Sequence, residues 1–88
     1  MTFAQPAAAA YNHAIDQLAD DPAAAAHLYK RFAEARRHLE RFPNLGRAGN
    51  RPGIRELVIA GTPYVFVYRV DPDALVILDI RHGRRKPS

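Results

Sequence analysis

The chain has 88 residues, with 13 Lys and Arg against 9 Asp and Glu, and it contains no cysteine. A chain of this length supports a single domain with one thin core. The absence of cysteine excludes a disulfide scaffold, a thiolate zinc site and a cysteine nucleophile. No apolar run reaches the roughly 18 residues that a membrane helix needs. We therefore expect one soluble, cytoplasmic domain over residues 1–88, with no membrane contact.

The positive charge is concentrated in the second half of the chain. Residues 1–44 carry equal numbers of basic and acidic side chains, so the net charge of +4 comes wholly from residues 45–88. Four of the basic residues fall within residues 81–88: Arg81, Arg84, Arg85 and Lys86. This asymmetry favours an anionic partner, which is nucleic acid, a nucleoprotein enzyme or an acidic peptide. A solvated basic surface without a target is the alternative.

Apolar periodicity predicts two antiparallel helices in the first half, which form a helical hairpin over residues 7–42. Alanine dominates the first helix, over residues 7–19, and larger apolar residues recur on one of its faces. Asp21 is the predicted N-cap of the second helix and Pro22 its first residue. The apolar stripe of the second helix advances by three or four residues at each step: Ala25, Leu28, Phe32, Ala35, Leu39 and Phe42. A hairpin with such a stripe must cover another apolar surface.

The second half divides into a loop over residues 43–53, a three-strand antiparallel sheet over residues 54–82 and a basic tail over residues 83–88. The loop is rich in glycine and proline. Both faces of the strand predicted over residues 63–70 carry mostly apolar side chains, so we expect a central strand that is covered on both sides. A short edge strand within residues 2–5 would complete a β-α-α-β-β-β order.

Several kinds of catalytic site lack the residues that they need. The histidines are separated in sequence, and no two of them have the spacing of a zinc motif. Ser88 is the only serine, which excludes a Ser-His-Asp hydrolase. The segment 46–49 does not have the pattern of a phosphate-binding loop. We expect neither a metal ion nor an organic cofactor.

A basic, partly aromatic surface is the remaining candidate site. Its members come from the loop, the first long strand and the C-terminal end: Arg47, Arg51, Arg55, Arg81, His82, Arg84 and Arg85. Guanidinium groups bind phosphates or carboxylates through paired hydrogen bonds and stay charged at any working pH. His82 is a candidate base or acid of a metal-free ribonuclease. The alternatives are structural, because His82 can end a strand and strand arginines can pair with Glu56 or Asp79.

Four segments of the second half follow one another with a familiar spacing: residues 42–47 (FPNLGR), 53–57 (GIREL), 63–70 (PYVFVYRV) and 80–85 (IRHGRR). In these segments the chain resembles the RelE/ParE superfamily of type II toxins, the plasmid stabilisation proteins that are paired with a small antitoxin. The match covers about half of the chain, and the helical hairpin is also similar to the family pattern. The resemblance implies an α+β fold, in which the hairpin packs on a small twisted antiparallel sheet.

The resemblance implies one of two activities. Ribosome-dependent ribonucleases of the superfamily cleave messenger RNA, and four residues would carry that role here: Arg55, His82, Arg84 and Arg85. However, Leu57 and Val65 stand where that branch has basic residues. The ParE branch instead poisons DNA gyrase and has no established catalytic residue. We therefore expect a ParE-like gyrase inhibitor rather than an enzyme, with an inactive binding module of the toxin fold as a third hypothesis.

The gyrase interpretation assigns the basic residues to contacts with gyrase or its bound DNA: Arg47, Arg51, Arg81, Arg84, Arg85 and Lys86. A cognate antitoxin, ParD-like or another small type, is expected to neutralise the toxin within a hetero-oligomer. Its tail would be apolar on one face and acidic elsewhere, and would lie across the hairpin and the sheet. Four residues of the hairpin are the candidate anchors for that tail: Tyr11, Leu28, Tyr29 and Phe32.

Overall fold

The computed structural model describes residues 1–83, in which two helices pack on one face of a five-stranded sheet. The elements in chain order are β1 (Thr2–Phe3), α1 (Gln5–Asp16), α2 (Pro22–Arg41), β2 (Arg47–Ala48), β3 (Ile54–Val58), β4 (Tyr64–Val70) and β5 (Leu75–His82). The strands lie in the spatial order β1-β5-β4-β3-β2. The α+β class and the central position of β4 are therefore as predicted.

The two helices begin and end at residues with clear local causes. Helix α1 starts before the predicted residue 7, because Pro6 fits in the first turn, where its missing N–H is not needed. It ends at Asp16 rather than residue 19, since tight turns follow, with the Leu18 N–H donating to the Ile15 carbonyl at 3.0 Å. Helix α2 has the predicted N-cap, in which the Asp21 side chain accepts from the Ala24 N–H at 3.1 Å. Neither helix has the length and apolar character to span a bilayer.

The sheet is mixed, whereas an antiparallel sheet was expected. Strands β2 to β5 pair in antiparallel fashion, but β1 pairs with β5 in parallel, with Thr2 opposite Val76 and Phe3 opposite Ile77. The two edge strands have two residues each, and β2 lies inside the segment that was predicted to be a loop. Two residues are too few to show the alternation by which a strand is recognised in a sequence.

The core lies between the helices and one face of the sheet. Phe32 and Leu39 of α2 pack against Phe66, Tyr68 and Ile77, and all five side chains are fully buried. The rings of Phe32 and Phe66 are 5.6 Å apart between centroids. The predicted apolar stripe thus covers the sheet from Leu28 to Leu39, whereas its last member, Phe42, lies just past the helix and is 56% exposed.

A buried tyrosine fixes the segment between α2 and β2. The Tyr68 hydroxyl accepts from the Gly46 N–H at 2.8 Å and donates to the Pro43 carbonyl at 2.9 Å. A Cβ atom at Gly46 would lie 2.7 Å from that hydroxyl, so the close approach requires glycine. These contacts position Arg47, the first residue of β2, relative to the rest of the sheet.

Candidate functional site

The face of the sheet that points away from the helices is the candidate target-binding surface, and we call it the open face. Strand register places Val58, Val65 and Arg81 in one row across this face. Glu56, Val67 and Asp79 form the next row. No helix among residues 1–83 covers this side, so the prediction that β4 is covered on both faces was wrong. Val65 is nevertheless buried by its neighbours, and Val58 is 59% exposed.

Two arginines and a glutamate form an ion cluster on the open face. The Glu56 Oε1 lies 3.0 Å from Nη2 of Arg81 and 3.3 Å from Nη2 of Arg47. The Glu56 side chain is only 7% exposed, whereas those of Arg81 and Arg47 are 29% and 71% exposed. Strand pairing explains the arrangement, since Arg47 lies directly opposite Glu56 in β2 and β3. One carboxylate thus holds two guanidinium groups on the same surface.

A groove of about 730 Å³ lies beside this cluster, at the end of the sheet where β3 joins β4. Its lining includes Arg47, Val58, Thr62, Tyr64, Val65 and His82. The imidazole of His82 packs edge-on against the Tyr64 ring, with the centroids 5.5 Å apart, because these residues face each other across β4 and β5. Both rings lie on the helix side of the sheet, because Tyr64 alternates with Val65 and its ring is 5.8 Å from that of Phe32. The groove therefore has a cationic rim, and these two residues border it only at the end of the sheet.

Arg55 is not part of this surface. Its Nη1 donates to the Gly46 carbonyl at 2.8 Å and to the Asn44 carbonyl at 3.4 Å. Arg55 lies opposite Tyr68, which points into the helix-side core, so its side chain lies on the other face from Glu56. Arg55 thus fastens the segment that leaves α2, and a role for it in a ribonuclease stays a prediction.

The structure separates the remaining basic candidates. Arg47 and Arg81 lie in the cluster, whereas the His82 ring packs on Tyr64 on the helix side of the sheet. Arg51 lies in the exposed turn between β2 and β3, at the far end of β3 from the groove. Arg84, Arg85 and Lys86 lie outside the described residues. Sequence reasoning did not select Glu56 or Tyr64 as site residues. It did allow a pairing of Arg81 with Glu56, which is confirmed, whereas Arg69 pairs with Asp71 at 2.9 Å.

A second candidate surface lies on the helices, and we call it the aromatic groove. Phe3, Tyr11, Tyr29 and Arg36 line a groove of about 300 Å³. Tyr11 is at its centre, with ring centroids 6.2 Å from Phe3 and 6.4 Å from Tyr29. The Arg36 guanidinium carbon lies 5.7 Å from the centre of the Phe3 ring. The Tyr29 side chain is 60% exposed, so the groove offers rings and one cation to a partner.

Two of the four predicted antitoxin anchors lie elsewhere. Leu28 and Phe32 are 5% and 0% exposed and belong to the core, where their side chains meet the sheet rather than a partner. Tyr11 and Tyr29 remain accessible, because they lie on the side of the hairpin that is away from the sheet centre. The correction follows from the helical period, which places the larger apolar residues of α2 on the buried stripe.

The pKa of Tyr11 is raised above its ordinary value of 10.0. Burial is the largest cause, the neighbouring Tyr29 adds to it, and the positive charge of Arg36 opposes it. The Tyr11 hydroxyl therefore stays protonated at neutral pH and can both donate and accept a hydrogen bond. Among residues 1–83, no group of three or more His, Asp or Glu side chains is placed to hold a metal ion.

Comparisons with known proteins match most of the chain to toxins of one family. Residues 1–87 match the family model described as the ParE toxin of the type II toxin-antitoxin system parDE. The Sinorhizobium fredii protein Y4kP, to which a toxin role is ascribed, is 39% identical over 67 residues, covering 76% of this chain and 69% of its own. A chain from the chromosomal ParDE system of P. aeruginosa superposes with a TM-score of 0.80 at 25% identity, covering 92% of this chain and 91% of that one. The chain therefore belongs to the ParE toxin family of type II toxin-antitoxin systems.

Proposed function

We propose that this toxin acts by poisoning DNA gyrase and is neutralised by an antitoxin that binds the aromatic groove. In this mechanism, the toxin binds the open-gate, DNA-cleaved state of gyrase more tightly than the other states and thereby holds it. The open face and the basic C-terminal residues provide the contacts. Family membership supports a toxin, and the chemistry of the open face supports inhibition by binding rather than by RNA cleavage.

The position of Arg55 carries the choice between the two activities. A metal-free ribonuclease needs a base, an acid and cations around the reacting phosphate. Arg55 is instead bonded to loop carbonyls and lies opposite Tyr68, four positions along β4 from Tyr64, which faces His82. Val65 makes the centre of the open face apolar. Arg81, which is on the open face, is already paired with Glu56. Among residues 1–83, Arg55 and Arg81 are thus engaged in contacts within the protein, which favours inhibition by binding.

A gyrase reaction on supercoiled plasmid tests the mechanism. The purified toxin is added to gyrase and plasmid, and the reaction is stopped with detergent and protease. We expect linear DNA to accumulate, and we expect a variant with Arg84→Ala and Arg85→Ala to give none while keeping its antitoxin affinity. Unchanged plasmid at micromolar toxin would contradict gyrase poisoning. Cleavage of messenger RNA on translating ribosomes would then identify the ribonuclease activity instead.

The aromatic groove supports the second half of the proposal. Helix-in-groove recognition uses exposed rings that receive apolar side chains, and a nearby cation adds charge complementarity to an acidic tail. Tyr29 supplies the exposed ring, Tyr11 the half-buried floor and Arg36 the cation. An antitoxin tail that is apolar on one face and acidic on the other fits this combination.

Replacement of Tyr29 tests the groove. We expect Tyr29→Ala to weaken binding of the antitoxin encoded beside the toxin gene by roughly tenfold or more, since exposed aromatic anchors dominate interfaces. Phe42→Ala is the matched control, because Phe42 is similarly exposed but lies at the C-terminal end of α2. Isothermal titration calorimetry gives both affinities. An equal loss in the two variants, or no loss in Tyr29→Ala, would contradict the assignment of the groove.

A further inference from the structure

Glu56 is the one charged side chain that is buried among residues 1–83, and it lies in the middle of the candidate target-binding surface. A buried carboxylate is costly unless cations and hydrogen-bond donors surround it. Arg81 and Arg47 supply those donors, at 3.0 and 3.3 Å from the same oxygen. The position between these two guanidinium groups is thus an anion-binding position, and the protein fills it with its own carboxylate.

The two arginines differ in how firmly they are held. Arg81 is largely covered, comes from a long strand and makes the shorter contact. Arg47 is 71% exposed, comes from a two-residue edge strand and makes the longer contact. Only the guanidinium end of this pair is open to solvent, which weakens the attraction. Because Arg81 keeps Glu56 paired, Arg47 can turn toward an external anion at small cost. Arg81 would stay in place and keep Glu56 paired.

We propose that Arg47 and Arg81 bind a phosphodiester of duplex DNA, and that Glu56 limits the affinity by offsetting one of their two positive charges. The inference deepens the proposed function, on which it rests, by naming DNA as the ligand of the open face within the gyrase complex. A planar guanidinium fork matches a phosphate, and duplex DNA presents closely spaced phosphates to a chain with a net charge of +4. Glu56 acts as an internal competitor of the phosphate.

The open face also contains an internal control for this idea. Arg69 follows Val67 by two positions in β4 and so lies on the same face, where it pairs with Asp71 at 2.9 Å. Its side chain and that of Asp71 are 46% and 37% exposed, so this pair is open to solvent. Neutralising Asp71 changes the net charge by the same amount as neutralising Glu56, but it leaves the Arg47 and Arg81 pair untouched.

Fluorescence anisotropy with a labelled 20-base-pair duplex, at low salt and without gyrase, tests the proposal. We expect Glu56→Gln to bind the duplex about three- to tenfold more tightly than the wild type, because both guanidinium groups become available to phosphate. Asp71→Asn should raise the affinity by less than about twofold, through net charge alone. Equal gains in the two variants would overturn the proposal, as would no gain in Glu56→Gln.

Arg47→Ala supplies the complementary loss. We expect its duplex affinity to fall, and the slope of log affinity against log salt to decrease by about one, as for one lost phosphate contact. Urea unfolding of each variant tests the alternative that Glu56 is purely structural. In that case the free energy of unfolding of Glu56→Gln would fall while its DNA affinity stayed constant. That result would overturn the proposal, and so would tighter binding of Glu56→Gln to oligoglutamate but not to DNA. Because gyrase is absent, failure of gyrase poisoning is a separate result.

Discussion

At the scale of single residues, the hydroxyl of Tyr68 links the central strand to the segment that follows α2. It makes two hydrogen bonds while fully buried, to the Gly46 N–H and the Pro43 carbonyl. We expect Tyr68→Phe to lower the free energy of unfolding by about 1–3 kcal/mol, because a buried donor and a buried acceptor lose their partner. Tyr64→Phe, in the same strand but half-buried, should cost clearly less. Equal costs in urea denaturation would contradict the role of the Tyr68 hydroxyl.

Tyr11 makes stability depend on pH in the alkaline range. Its pKa is raised in the folded protein, so the folded state holds the proton more tightly than the unfolded state. The contribution is fully present below the unfolded value near 10 and is lost as pH rises through the folded value. We expect the difference in unfolding free energy between wild type and Tyr11→Phe to be constant from pH 7 to 9. It should then shift against the wild type above pH 10, and a constant difference up to pH 11 would contradict this account.

Individual residues also show why the site was only partly predictable. Arg47 and Arg55 are both arginines near the same turn, and a sequence does not reveal that one faces solvent while the other bonds to loop carbonyls. The difference comes from β2, whose pairing register was not visible in a two-residue strand. Arg81 and His82 were correctly placed at the end of a strand, because a long apolar run leads directly to them. Leu28 and Phe32 were misplaced as anchors because an apolar stripe looks the same whether it covers a sheet or a partner.

At the scale of elements, the start of α2 depends on a side chain that was recognisable in the sequence. Asp21 accepts from the Ala24 N–H, and Pro22 occupies the first helical position. We expect Asp21→Ala to reduce the free energy of unfolding by about 1 kcal/mol, the usual cost of a lost cap. Asp20→Ala removes a carboxylate of the same charge one position earlier and should change stability by less than about 0.5 kcal/mol. Chemical denaturation gives the free energy of unfolding of both variants. An equal loss in the two would contradict the capping role and indicate an effect of charge alone.

The elements that the sequence predicted well are those with long periodic patterns. Helix α2 and strands β3 to β5 each show several apolar residues at a constant period, and their packing follows from that period. The end of α1 was placed too late, because alanine-rich sequence favours helix on both sides of the true end. The uncovered face of β4 was also missed, since Val65 and Val67 are apolar although no helix in the described region lies over them.

At the scale of the whole molecule, β1 connects three parts of the fold through Phe3. Its ring lies 6.3 Å from that of Phe66 in the sheet, 6.2 Å from Tyr11 of α1 and 5.7 Å from the Arg36 guanidinium of α2. We expect Phe3→Ala to lower the free energy of unfolding by about 2–3 kcal/mol, since a large apolar side chain is lost from a shared contact. Phe42→Ala, at an exposed position, should cost less than about 1 kcal/mol. Thermal denaturation measures both variants, and an equal fall in melting temperature for Phe3→Ala and Phe42→Ala would contradict this role of Phe3.

The parallel pairing of β1 with β5 also bears on when the protein can fold. Thr2 pairs with Val76, so β1 has no partner in the sheet until β5 has been synthesised. Contacts between such distant positions slow folding, because a long loop must close before they form. The sheet therefore cannot be complete before β5 has been made. Because Arg81 of β5 also holds Glu56 of β3, the ion cluster of the open face cannot assemble before that point either.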